Sequence, residues 1–145
     1  MRMSFENFLK MKSFEDCYLT AQRDSTGVMM IGYGRPIGAR RGYTITQEQA
    51  DKWFIERVEG LEKVLMEIPQ LAELPPHRWD AIVSFTIKTG LNNLKKSILL
   101  RKIRRNPEDK KIYIEFMRWV KGRDAELTKT LTRRKWEARL WEGEA

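Results

Sequence analysis

The sequence predicts a mostly helical α+β fold, with a small N-terminal β-sheet lobe, a long connecting helix and a helical C-terminal lobe. Three observations predict it. Between about Leu19 and Tyr43 a turn cluster, Asp24-Ser25-Thr26-Gly27, an apolar run, Val28-Met29-Met30-Ile31, and the breakers Gly32, Gly34, Pro36, Gly38 and Gly42 are incompatible with helix. From Thr46 onward, apolar residues recur at helical spacing almost to the C-terminus. The chain has 145 residues, of which 41% are hydrophobic and five are Trp, enough for one core in one domain spanning 1–145. Within it the sheet lobe is expected at about 19–45, and the helical lobe at about 69–145 together with the N-terminal helix.

Taken in order, Ser4 precedes the stripe Phe5, Phe8, Leu9 and Met11, which predicts a first helix ending near Glu15 to Tyr18. A hairpin-like sheet follows. Thr46 and Gln49 form a Thr-x-x-Gln capping box ahead of Ala50, Trp53, Phe54, Val58, Leu61, Val64 and Leu65, a long helix stopped by Pro69, Pro75 and Pro76. Trp79, Ile82, Val83, Phe85 and Thr86 predict a buried helix closed by Gly90. Leu91, Leu94, Ile98, Leu99 and Ile103 form one further stripe. Asn106-Pro107-Glu108-Asp109 resembles a cap, a first-turn proline and an acidic first turn, predicting a helix through Trp119 that Gly122 ends. Leu131, Trp136, Leu140 and Trp141 mark the last helix.

Composition excludes several classes. One cysteine, Cys17, cannot close an intramolecular disulfide, and one Cys with one His cannot make a zinc site. No segment approaches the roughly 18 uncharged apolar residues of a membrane span. The N-terminus carries acid and base before any apolar run of signal-peptide length, so synthesis in the cytoplasm without a leader is expected. A net charge of +8 fits a polyanionic partner such as nucleic acid, anionic lipid or cell-wall polymer. The basic runs 101–105 and 133–135 come without a nucleic-acid motif and are expected to be solvated helix faces. Gly32-Tyr33-Gly34 lacks the third glycine of a dinucleotide fingerprint. Cys17 and His77 are read as a buried structural thiol and a solvated loop imidazole, and Trp119, Trp136 and Trp141 as core. No cofactor or metal is implied.

Two carboxylates stand out. Glu15 lies at the predicted end of the first helix among Phe14, Cys17 and Tyr18, and Asp24 lies in the turn of the sheet. Glycoside hydrolysis needs such an unequal pair, an acid in an apolar setting to protonate the leaving oxygen and an ionised carboxylate in a polar loop.

The string from Phe14 to Gly34, Phe-Glu-Asp-Cys-Tyr-Leu-Thr-Ala-Gln-Arg-Asp-Ser-Thr-Gly-Val-Met-Met-Ile-Gly-Tyr-Gly, resembles the signature of the phage-type lysozymes, the endolysins of glycoside hydrolase family twenty-four. The family pattern is Phe-Glu-Gly, an Asp nine residues on, a Gly three beyond, then Thr-Ile-Gly-Tyr-Gly-His. Ile45-Thr46-Gln47-Glu48-Gln49-Ala50, Trp79-Asp80-Ala81-Ile82-Val83-Ser84-Phe85 and Lys96-Ser97-Ile98-Leu99-Leu100-Arg101-Lys102 are similar to later family segments. So are Phe116-Met117-Arg118-Trp119 and Leu131-Thr132-Arg133-Arg134-Lys135-Trp136-Glu137, which makes the resemblance nearly chain-long.

The resemblance implies a lysozyme-like fold, and a monomeric enzyme that cuts the β-1,4 bond after N-acetylmuramic acid in peptidoglycan strands, released to the wall through a holin-like pore. It places the general acid on Glu15 and the second carboxylate on Asp24. The third family position, a Thr that holds the attacking water, falls on Met30, whose thioether donates no hydrogen bond. Thr26 is a nearby hydroxyl, and Tyr33 and Arg35 complete the expected substrate-contacting set, with Arg35 where the family has His. Asp16 replaces a family Gly, Lys88 a family Asn, and Lys129-Thr130 a family Pro-Gly. A basic residue of the last helix is expected to face Glu15, and both Arg133 and Arg134 are candidates. The alternative is a lysozyme-fold protein that holds wall glycan without cutting it, because Met30 removes the hydroxyl; if no other group holds the water, restoring Thr at position 30 is expected to speed lysis.

Overall fold

A computed structural model of the chain describes residues 1–38, 42–120 and 122–144. Helix α1 (Phe5–Ser13) begins where Ser4 Oγ accepts a hydrogen bond from the Asn7 N–H, and its inner face buries Phe8 and Met11. It ends at Ser13, earlier than the stripe predicts, so Glu15 and Cys17 lie just beyond it and Cys17 is half-buried. The first turn is docked from two other helices. Asp80 Oδ2 accepts from Ser4 Oγ and Asn7 Nδ2, both at 2.8 Å, and Glu62 Oε2 accepts from the Met3 N–H at 2.7 Å and Trp79 Nε1 at 2.9 Å.

The sheet is antiparallel, with strands β1 (Tyr18–Arg23), β2 (Met29–Gly32) and β3 (Arg35–Pro36) in sequence order. Its register begins at Tyr18 opposite Gly32, slips at an irregularity, and resumes with Gln22 opposite Met30 and Arg23 opposite Met29. The other edge of β1 meets 43–45, through a bridge between Thr20 and Thr44.

Helix α2 (Gln47–Leu65) starts as the capping box requires, with Thr46 Oγ1 accepting from the Gln49 N–H. Pro69 opens a short helix, α3 (Pro69–Ala72), because a first-turn N–H has no helical partner to lose. Helix α4 (Pro76–Thr89) is the core helix, buried from Trp79 through Ile87, and Gly90 at φ 93° ends it. His77 lies in the first turn of α4 and is half-buried, not in a loop.

Three predictions about the helical lobe need correction. The stripe from Leu91 to Ile103 is two helices, α5 (Leu91–Lys96) and α6 (Ile98–Arg105), because Ser97 turns out of the helix and caps α6 through the Leu100 N–H. Asn106 and Asp109 do not cap a helix. Each folds back on the N–H two residues ahead, that of Glu108 or Lys111, and the two successive turns delay α7 to Ile112–Met117. Gly122 therefore ends nothing and instead precedes α8 (Asp124–Trp141). Trp141 is in the core as expected, whereas Trp119 and Trp136 pack against it half-buried.

Helix α8 carries a cluster of buried charge. Glu137 is fully buried; it accepts from Ser84 Oγ of α4 and from Arg134 Nη1, and from Arg133 Nε at 3.2 Å. Burial pushes this carboxyl upward against the pull of both guanidiniums. Breaking such a cluster strands charge in the interior, so Glu137→Ala is expected to lose about 3 to 5 kcal/mol in urea unfolding, with Glu137→Gln losing less. An Ala variant within about 1 kcal/mol of the parent would mean that the Ser84 carbonyl and Glu15 are enough to hold Arg133 without this carboxylate.

Candidate active site

Glu15 and Asp24 line one cavity of about 480 Å³ between the sheet and the helical lobe. Gln22 and Met30 of the sheet face it from one side, and Lys88 at the end of α4 from the other. A second cavity of about 430 Å³ continues past Glu15 along α8, walled by Phe14, Lys129, Thr130 and Arg133. Arg57 of α2 holds the back of the cleft, donating to the Tyr33 carbonyl at 3.2 Å and the Ile87 carbonyl at 2.9 Å, and so ties sheet to helix.

Glu15 sits with 14% of its side chain exposed, and Arg133 Nη1 lies 3.2 Å from its Oε2. That contact is an ion pair with poor donor alignment, since Nη1 makes no hydrogen bond among the described residues. Arg133 is thus the basic residue that faces Glu15. Arg134 turns instead to Glu137 and lies over the Phe85 ring.

Asp24 is exposed, and its loop organises around a single oxygen. Oδ1 accepts from Thr26 Oγ1 at 2.6 Å, the Thr26 N–H at 2.8 Å and the Val28 N–H at 3.0 Å. Among the described residues nothing bonds to Oδ2. The Thr26 hydroxyl, helped by the backbone N–H groups of Val28, Thr26 and Gly27, holds the Asp24 carboxyl below the ordinary carboxylate range, against a smaller opposing effect of desolvation.

Several expected site residues land elsewhere. Thr26 is committed to Asp24 and does not line the cavity. Arg35 leaves the cleft altogether, because Gly34 at φ 88° reverses the chain and sets the guanidinium 4.1 Å from the centre of the Trp53 ring, in a separate groove. Tyr33 lines the cleft, but its hydroxyl is taken by Gln47 at 3.1 Å and Asp51 at 3.3 Å. Met30 is in the cleft, half-buried. Asp16 and Lys129, two of the departures from the family pattern, pair with each other at 2.8 Å beside Glu15. Sequence reasoning missed Gln22 and Arg57. Gln22 lies two residues before Asp24 and so on the same strand face, a signal that alternation carries; Arg57, on an exposed helix face, left none.

A model of phage lysozymes matches residues 12–137. The chain belongs to the phage lysozyme family. This lysozyme is 30% identical to the endolysin of Acyrthosiphon pisum secondary endosymbiont phage 1, over 98% of this chain and 99% of that one. Its structure is similar to that of a P22 lysozyme variant, at 25% identity and a TM-score of 0.74, covering 98% of this chain and 99% of that one. It is also similar to the muramidase domain of SpmX from Asticaccaulis excentricus, at 25% identity and a TM-score of 0.76, with 96% of each chain covered. Family membership makes the protein a lysozyme-type hydrolase that acts on peptidoglycan.

The loop geometry sets a pH dependence. Because folding lowers the Asp24 pKa, the loop's contribution to stability is complete above the unfolded carboxylate range and is lost as pH falls through the lowered native value. Thr26→Val removes the largest cause, so the Asp24 carboxyl should titrate at higher pH in carbon-detected NMR. An unmoved titration would assign the whole effect to the backbone N–H groups.

Proposed function

We propose that this lysozyme hydrolyses the β-1,4 bond between N-acetylmuramic acid and N-acetylglucosamine with inversion, Glu15 acting as general acid and Asp24 as general base. The observation that carries the proposal is the unlike setting of two carboxylates on one cavity: Glu15 shielded beside Arg133, Asp24 exposed with one oxygen saturated and the other unbonded.

In this reaction Glu15 gives its proton to the glycosidic oxygen as the bond from that oxygen to the anomeric carbon breaks. A water attacks the opposite face of the sugar, its oxygen bonds to the anomeric carbon, and its proton passes to Asp24 Oδ2. Both carboxyls return to their starting states by exchange with solvent. Arg133 stabilises the carboxylate that Glu15 becomes, and its charge is itself balanced by Glu137. Lys88 and Arg57 on the cleft walls, with the net charge of +8, favour an acidic wall polymer.

Action on the bacterial wall is part of the proposal, supported by the endolysin relative. Among the described residues no helix is long and apolar enough to cross a membrane. In this reading a separately supplied pore, as for an endolysin, releases the enzyme to the wall.

Glu15→Gln is expected to abolish clearing of chloroform-treated Gram-negative cells and release of reducing ends from purified peptidoglycan. Its thermal midpoint should stay within roughly 4 °C of the parent, about 1 kcal/mol, since Arg133 keeps Glu137. In the parent, proton NMR of the first product should show the α anomer. Reducing-end release by Glu15→Gln at the parent rate, or a β anomer as first product, would overturn the assigned roles.

A further inference from the structure

We propose that the Gln22 side-chain amide holds the attacking water, in the place that Met30 leaves without a hydroxyl. The proposal rests on the roles given to Glu15 and Asp24 above. A nucleophilic water needs two partners to aim its lone pair at the anomeric carbon, one to take its proton and one to fix its orientation. Asp24 Oδ2 is the first. The second must be a polar group beside Met30, on the same side of the sheet as Asp24, and not already bonded.

The register of the sheet selects it. Gln22 is the residue directly across from Met30 on the neighbouring strand, and side chains paired in this way lie on one face about 5 Å apart. Asp24 follows Gln22 by two positions, which returns it to that face. Gln22, Asp24 and Met30 accordingly line the same cavity with Glu15.

The other hydroxyls are less suited. Thr26 Oγ1 is bound to Asp24 Oδ1, and the Tyr33 hydroxyl is bound to Gln47 and Asp51. Ser25 lies past the end of β1, in the turn, and Tyr18 lies opposite Gly32 at the far end of the pairing. The Gln22 amide makes no hydrogen bond among the described residues, and it offers an acceptor oxygen and two N–H donors. The thioether of Met30 then serves as an apolar wall that confines the water to Gln22 and Asp24.

The test is a mutant cycle on purified peptidoglycan, with reducing-end release read as kcat and KM separately. Gln22→Met keeps length and removes the amide; kcat should fall about tenfold or more, with KM within about twofold and the thermal midpoint unchanged. Met30→Thr should raise kcat by a larger factor in the Gln22→Met background, where it should restore most of the loss, than in the parent, where the water is already held. Ser25→Ala should leave kcat within about twofold of the parent. Two results overturn the proposal: a Gln22→Met variant as fast as the parent, or a Met30→Thr gain of the same factor with and without Gln22. A parent enzyme that releases no reducing ends at all would instead overturn the reading of Glu15 and Asp24, and this inference with it.

Discussion

The buried carboxylate of Glu137 is the contact on which the architecture of the cleft depends. It ties α8 to α4 through Ser84 and holds both Arg133 and Arg134 in the interior, where an unpaired guanidinium would be costly. With Arg133 also donating to the Ser84 carbonyl at 2.9 Å, its far nitrogen is left at the cleft wall with little freedom. Glu15, carried on a loop that no regular hydrogen-bond ladder fixes, meets a cation whose position is already decided by the core. The charge that stabilises the site is therefore placed by folding, at no further cost of ordering when substrate arrives.

A second chain of constraints reaches the same place from the N-terminus. Asp80 and Glu62 capture the first residues of the chain, which orients α1, and α1 then delivers Glu15 one residue past its C-cap at Phe14. Phe14 lies against Trp136 of α8, with ring centroids 5.6 Å apart, so both ends of the segment are anchored to the helical lobe. The sheet is attached differently. Arg57 donates to one carbonyl on each side of the cleft, and Ile31 of β2 is fully buried. One carboxylate thus belongs to the helical lobe and the other to the sheet, and their separation is set by how the two lobes meet.

Departures from the family pattern fall into two physical kinds. Asp16 and Lys129 are far apart in sequence but pair across the mouth of the cleft, so each answers for the other, although an exposed pair of this kind contributes at most about 1 kcal/mol. Met30 has no such partner in charge. Its loss of a hydroxyl is a loss of chemistry, and any compensation has to come from a neighbour that reaches the same water.

Sequence by itself determined the helical and sheet regions, the Thr46 cap, the Gly90 stop and the placing of Glu15 and Asp24 on different elements, because each rests on local periodicity or on a residue's own backbone preference. It misjudged the boundaries at Ser13, Ser97 and Ile112, where local side-chain bonds compete with helix and leave the apolar spacing untouched: Ser97 and Asp109 accept from nearby N–H groups, and the Ser13 hydroxyl donates to the Lys10 carbonyl. It also left Arg133 and Arg134 equivalent, since adjacent residues differ only in the direction they face once α8 is packed. Arg35 was lost to the cleft through a reversal at Gly34 and a stack on Trp53, neither of which has a spacing to read. The sheet register is the plainest case. Continued without a slip from Tyr18 opposite Gly32, it would set Thr20 opposite Met30; the irregularity sets Gln22 there instead, and only pairing between strands in the folded chain decides which side chain stands beside the missing hydroxyl.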